Sequence, residues 1–75
     1  MPEAPKMTQK DLAFGRRLYK LRKKAGLTQE ELAEKTNLST TFIGLLETGK
    51  RRASLKSLQR IAAVLRLKVK DLINF

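Results

Sequence analysis

The sequence predicts an all-α domain of five short helices. Three observations carry that prediction. Apolar residues recur at three- and four-residue steps in each segment, the spacing of one helix face. Good helix N-caps stand at Thr28, Ser39 and Ser54, each ahead of such a segment. Strand-type alternation and internal repeats are absent throughout.

From Lys10 to Ala25, the apolar face is Phe14, Leu18, Leu21 and Ala25, with Arg16, Arg17, Lys20, Lys23 and Lys24 around it. Cations in the last turn suit the negative end of the helix dipole, and Gly26 supplies the left-handed residue that closes the helix. Residues 1–9, with two prolines and no period, read as a flexible arm ahead of a domain over 10–75.

Thr28-Gln29-Glu30-Glu31 is a capping box: hydroxyl and carboxylate each take up a free N–H of the first turn. Leu27 can pack on Leu32 as a staple. The helix runs to about Thr36, with Leu32 and Ala33 inward, and Asn37 suits a left-handed turn. Ser39 caps the next helix, which runs to about Thr48 with Ile43 and Leu46 inward and Gly49 after it. Thr40, Thr41, Gly44 and Leu45 fall on its other faces. Gly44 costs about 1 kcal/mol against alanine in a helix interior, and Leu45 gains little if it meets only water. A helix that lies against a partner accounts for both; so does an ordinary suboptimal surface. Ser54 caps a fourth helix with the stripe Leu55, Leu58, Ile61, Ala62 and Leu65, widened by Val64. Val69, Leu72, Ile73 and Phe75 make a short apolar helix or tail.

Composition narrows function. Seventeen Lys and Arg against seven acids give +10 on 75 residues. A field of that sign attracts polyanions, nucleic acid first among them, although solubility alone also explains it. Four of the acids (Glu30, Glu31, Glu34, Glu47) fall between Thr28 and Lys50, leaving Lys10–Lys24 and Lys50–Lys70 almost wholly basic. Cysteine and histidine are both absent, so no disulfide, nucleophile–base pair or metal cluster is indicated. The expectation is a protein with no enzymatic activity and no cofactor or metal. No apolar run approaches the ~20 residues of a membrane span, and the start lacks a signal-peptide apolar region. A cytoplasmic location is expected, with no membrane partner.

Two short helices joined by a tight turn and crossing steeply form a helix-turn-helix, here about 28–48. Its second helix is placed to enter the major groove of duplex DNA. The segments LRKKAGLTQEELAEKTNLS, LLETGK and SLKSLQRIAAVL resemble the phage-repressor and Cro, or Xre-type, helix-turn-helix family from about Arg16 to Ile73. Within it, TTFIGLLETGKRRASLKSLQRIA resembles the small controller proteins of restriction–modification systems. The resemblance implies a compact lambda-repressor-like fold and a sequence-specific, homodimeric transcriptional regulator of a pseudo-palindromic operator. It implies base contacts from Thr40, Thr41, Gly44 and Leu45, and phosphate contacts from Thr28, Gln29, Ser39, Phe42, Lys50, Arg51 and Arg52. It further implies a structural ion pair between Arg22 and Glu47, and a dimer surface of Val64, Val69, Leu72, Ile73 and Phe75.

Each role has a bland competitor. Gln29 is a good helix former, Thr40 and Thr41 suit any polar first turn, and Phe42 could be edge-of-core packing. Three successive cations at Lys50–Arg52 point to phosphate more firmly. Some departures from the family pattern bear on geometry: Arg66 stands where a glycine is usual, Ala53 for a proline, and Lys68 for a capping residue. No ligand-sensing segment is evident, so no small-molecule partner is expected. An antitoxin-like or bridging interaction module on the same fold is the alternative reading.

Overall fold

In the computed structural model, residues 7–74 are described. They form five helices: α1 (Gln9–Lys24), α2 (Gln29–Thr36), α3 (Thr40–Glu47), α4 (Leu55–Leu65) and α5 (Val69–Leu72). Each boundary has a local chemical cause. Thr8 caps α1, its hydroxyl accepting from Asp11 N–H at 3.1 Å while the Asp11 carboxylate accepts from Thr8 N–H at 2.9 Å. The helix therefore begins one residue before Lys10, inside the expected arm; residues 1–6 of that arm lie outside the described residues. Gly26, at φ 75°, ends it. Thr28 and Glu31 close the second capping box with two 3.0 Å bonds. Asn37 takes the left-handed conformation (φ 58°, ψ 36°), and Leu38 N–H bonds back to the Ala33 carbonyl at 2.9 Å. That turn swings the chain into α3, whose first free N–H groups meet the Ser39 hydroxyl, bonded at 3.0 Å by Phe42 N–H.

The core is formed mainly by Leu18, Leu32, Ile43, Leu46, Ile61 and Leu72, all at most 1% exposed. Burying each side chain of this kind contributes about 2 kcal/mol, so every helix is pinned by at least one of them. Helix α3 packs between α1 and α2; α4 packs on α2, and α5 ties α4 to α1. Arg17 on α1 adds a polar tie, its Nε donating to the Asp71 carbonyl at 2.5 Å.

Packing changes several sequence-based expectations. Leu72, expected on the dimer surface, is 1% exposed and belongs to the domain's own core. A four-residue helix is too short for periodicity to tell its faces apart, and α5 turns Leu72 inward and leaves Ile73 48% exposed. Phe75 lies outside the described residues. Val64 and Val69 are half-buried against the core. Leu55 is 63% exposed rather than part of the α4 stripe, because it is the first residue of the helix and overhangs its end. Ala25 is likewise exposed as the C-cap of α1.

Arg66 occupies the left-handed region (φ 59°, ψ 42°) as the C-cap of α4. The closing bond from Leu67 N–H to the Ala62 carbonyl is short, at 2.8 Å. The geometry that normally selects glycine is thus kept with a side chain in place, a conformation that costs on the order of 1 kcal/mol. Lys68 offers no oxygen to cap α5; its backbone N–H is taken by the Asp71 carboxylate at 2.9 Å instead.

Candidate nucleic-acid interface

The α2–turn–α3 unit is fixed from below by one polar network. Arg22 on α1 donates from Nε to Glu47 Oε2 at 2.6 Å and from its second terminal nitrogen to Oε1 at 3.1 Å. Its other terminal nitrogen reaches the Leu27 carbonyl at 2.8 Å. Gln29 on α2 then donates from Nε2 to the same Glu47 Oε1 at 3.0 Å. One carboxylate at the end of α3 thereby joins α1, α2 and α3. The side chains of Arg22 and Glu47 are 7% and 4% exposed, and hydrogen bonding to Glu47 raises the Arg22 pKa above its ordinary value. Charges this dry are tolerated because every donor that matters has an acceptor. The Tyr19 ring, 48% exposed, lies 5.3 Å from the Arg22 guanidinium and covers its open side.

The close approach of α1 to α3 depends on Gly15, a residue the apolar spacing passes over. A Cβ there would stand 2.7 Å from the Leu46 carbonyl oxygen and closer still to that of Glu47. A lone glycine inside a helical pattern was the available signal.

Above this base, α3 turns Ile43 and Leu46 fully inward. Thr41 is exposed, and Thr40, Gly44 and Leu45 are half-buried on the outer side. Gly44 is not forced by packing: a Cβ would meet only the Gln29 amide, at 3.8 Å. Thr28 and Ser39 spend hydroxyl lone pairs on capping, but both are exposed and keep their O–H for donation. Gln29 keeps its second amide hydrogen, since only one is engaged by Glu47.

The chain then curls over the end of α3. The N–H groups of Lys50 and Arg51 bond the Leu45 carbonyl at 2.9 and 3.3 Å, and the Thr48 hydroxyl donates to the Gly44 carbonyl at 3.1 Å. Gly49, at φ 76°, makes the turn possible. Lys50 and Arg51 are left exposed. The Arg51 guanidinium lies 5.8 Å from the half-buried Phe42 ring, which also packs against the core.

The three cations that adjoin in sequence do not act alike. Arg52 is taken by Asp11: Nε donates to Oδ1 at 3.0 Å and a terminal nitrogen to Oδ2 at 3.2 Å. Arg52 first, and then the Thr8 backbone N–H, holds the Asp11 carboxyl at about 2, well below its usual range. Asp11 was not singled out in the sequence, although Thr8-x-x-Asp11 carries the capping signature. Among the described residues there is no group of three His, Cys, Asp or Glu that could hold a metal ion, and no helix long and apolar enough to cross a membrane.

Comparison with known proteins supplies context for this geometry. The helix-turn-helix family profile matches residues 18–72. Control protein C.MunI from a Mycoplasma species is 39% identical over 64 residues, covering 84% of this chain and 86% of the relative. The crystal structure of the restriction–modification controller protein C.AhdI from Aeromonas hydrophila superposes with a TM-score of 0.79 at 36% identity, covering 81% of this chain and 92% of that one. The biofilm regulator SinR, solved in complex with DNA, superposes with a TM-score of 0.75 at 30% identity over 79% of this chain and 95% of its own.

Proposed function

The chain belongs to the helix-turn-helix family, and from that premise we propose that it binds duplex DNA through the outer face of α3 as a homodimeric transcriptional regulator. The observation that carries this reading is the division of α3 into two faces. Ile43 and Leu46 are wholly buried, while Thr40, Thr41, Gly44 and Leu45 form an outer strip with no bulky side chain before Leu45. A strip this low lets the helix backbone approach base edges. Threonine hydroxyls can donate or accept there, and their methyls and Leu45 can pack on thymine C5 methyls. Gly44 leaves one reading position without a side chain, so DNA shape carries part of the selectivity. Thr28, Gln29 and Ser39 flank the strip on one side, and Lys50 and Arg51 on the other; these are the phosphate-contacting groups. Phe42 supports Arg51 from beneath and borders the sugar–phosphate backbone.

The similarity to C.MunI and C.AhdI supports a role like that of restriction–modification controllers, acting in the cytoplasm. Two copies pair through the end of α4 and α5, where Val64, Val69 and Ile73 remain available and Leu72 does not. Paired recognition helices must enter successive major grooves, which sets half-sites about 34 Å apart.

Selection of bound sites from a random duplex pool tests the reading. Recovery of two related half-sites in inverted orientation about one helical turn apart is expected. Recovery of sequences without symmetry, or none above background, would overturn it. Sedimentation should show dimer at high micromolar concentration; monomer alone there would remove the dimer.

A further inference from the structure

Beyond the strip that reads DNA, one contact decides how many cations the loop after α3 brings to it. Arg52 is 59% exposed along its side chain, yet both hydrogen-bonding edges it presents to Asp11 are occupied, at 3.0 and 3.2 Å. Asp11 is itself immobilised, since the same carboxylate takes Thr8 N–H at 2.9 Å and so belongs to the first turn of α1. Around it stand Lys10, Arg51 and Arg52, and among the described residues Asp11 is the one carboxylate lining that groove.

Resting on the DNA-binding reading above, we propose that Asp11 is a positioning residue that holds Arg52 against α1, so that the loop meets the DNA backbone with Lys50 and Arg51 only. A phosphate competing for Arg52 would have to break a bidentate, charge-assisted contact. It would also approach a fixed carboxylate of like charge. Asp11 therefore subtracts one cation from the sequence-independent part of binding, the part that a chain of +10 has in excess. It also clamps the loop that follows α3 to the first helix, across 41 residues of sequence.

The experiment is a salt titration of duplex binding by the full chain, on a selected site and on a random-sequence duplex. Four proteins are compared: the unaltered chain, Asp11→Asn, Arg52→Ala and the double variant. Asparagine keeps an oxygen for Thr8 N–H, so α1 stays capped, and thermal melts check that all four fold. Asp11→Asn should steepen the slope of log K against log salt by about 0.9 on both duplexes, the release of roughly one more counterion. The added sensitivity is about threefold in affinity between roughly 50 and 200 mM salt. Arg52→Ala alone should leave the slope unchanged, and in that background Asp11→Asn should no longer steepen it. If Arg52→Ala alone flattens the slope by about 0.9, Arg52 already sits on phosphate and the proposal is overturned. A slope indifferent to Asp11→Asn, or one that steepens equally without Arg52, overturns it too. A chain that binds no duplex removes the regulator reading and this one together, whereas binding with unaltered slopes removes only the role of Asp11.

Discussion

Two ion pairs of the same chemistry join α1 to the end of α3 and to the loop just after it, and they do different work because one is dry and the other wet. Arg22–Glu47 is 7% and 4% exposed and ties three helices through one carboxylate. Arg52–Asp11 leaves the arginine side chain 59% exposed and ties a loop to a helix end. Burial removes the alternatives of the first pair: neither charge can find water if its partner leaves, so the pair can only be kept or lost with the fold. The second pair stands in water, so its loss costs the fold little. A buried pair fixes where α3 points. An exposed pair sets what the adjoining loop offers to a polyanion.

The largest effect should come from the dry pair. Glu47→Ala leaves the Arg22 guanidinium with the Leu27 carbonyl but without its carboxylate partner, and frees the Gln29 amide in one step. Destabilisation on the order of 3 kcal/mol or more is expected, read as a lowered denaturant midpoint with an unchanged slope. For a domain of this size, about 3 kcal/mol is a large share of the whole stability. A melt indistinguishable from that of the unaltered chain would mean that Arg22 is adequately hydrated, and the contrast between the pairs would collapse.

Next in size is the helix crossing that the dry pair braces. Gly15→Ala drives a methyl into the carbonyls of Leu46 and Glu47. Both are backbone atoms that cannot swing away, so a loss of about 1–3 kcal/mol is expected from overpacking. Gly44→Ala is the counterpart on the exposed side of α3. Its methyl meets only the Gln29 amide at 3.8 Å, so the better helix propensity should raise stability by up to about 1 kcal/mol. The same substitution should weaken duplex binding if the low strip on α3 is where bases approach. One glycine serves the fold and the other the surface, and paired melts and binding assays separate them.

These contrasts also show what the sequence could reveal. Features set within four residues were legible: the Thr28–Glu31 capping box, the left-handed Asn37, the Ser39 and Ser54 caps and the inward Ile43 and Leu46. Each is a local competition between a side chain and backbone N–H groups, or a period that one turn displays. The Arg22–Glu47 pairing came only through the family resemblance, since nothing local joins residues 25 apart in the chain. The Arg52–Asp11 pair spans 41 residues and was missed, leaving Arg52 counted as a phosphate contact. Gln29 was expected to contact phosphate, and its bond to Glu47, 18 residues away, exists only once α2 and α3 have crossed. Leu72 and Ile73 were assigned one role because four residues of α5 do not show which way each points.

The smallest effect belongs to the wet pair and is best seen through acid. In the folded chain the Asp11 carboxyl is held at about 2 against an ordinary 3.8. A folded-state value below the unfolded one means that the carboxylate stabilises the fold above about pH 4 and loses that contribution as pH falls toward 2. Removing the guanidinium with Arg52→Ala should let the Asp11 carboxyl climb toward its ordinary value, leaving Thr8 N–H to hold it partway down. Carboxyl NMR titration reads that shift directly, and the acid limb of unfolding should begin at higher pH. At neutral pH the melt should hardly move, because an exposed pair gives up little when its charges return to water. Added salt should narrow the acid-limb difference between the two proteins, since the screening length falls to about 3 Å at 1 M. The Arg22–Glu47 pair should be nearly blind to the same salt. Equal salt sensitivity for Glu47→Ala and Arg52→Ala would show that exposure does not separate the two pairs after all.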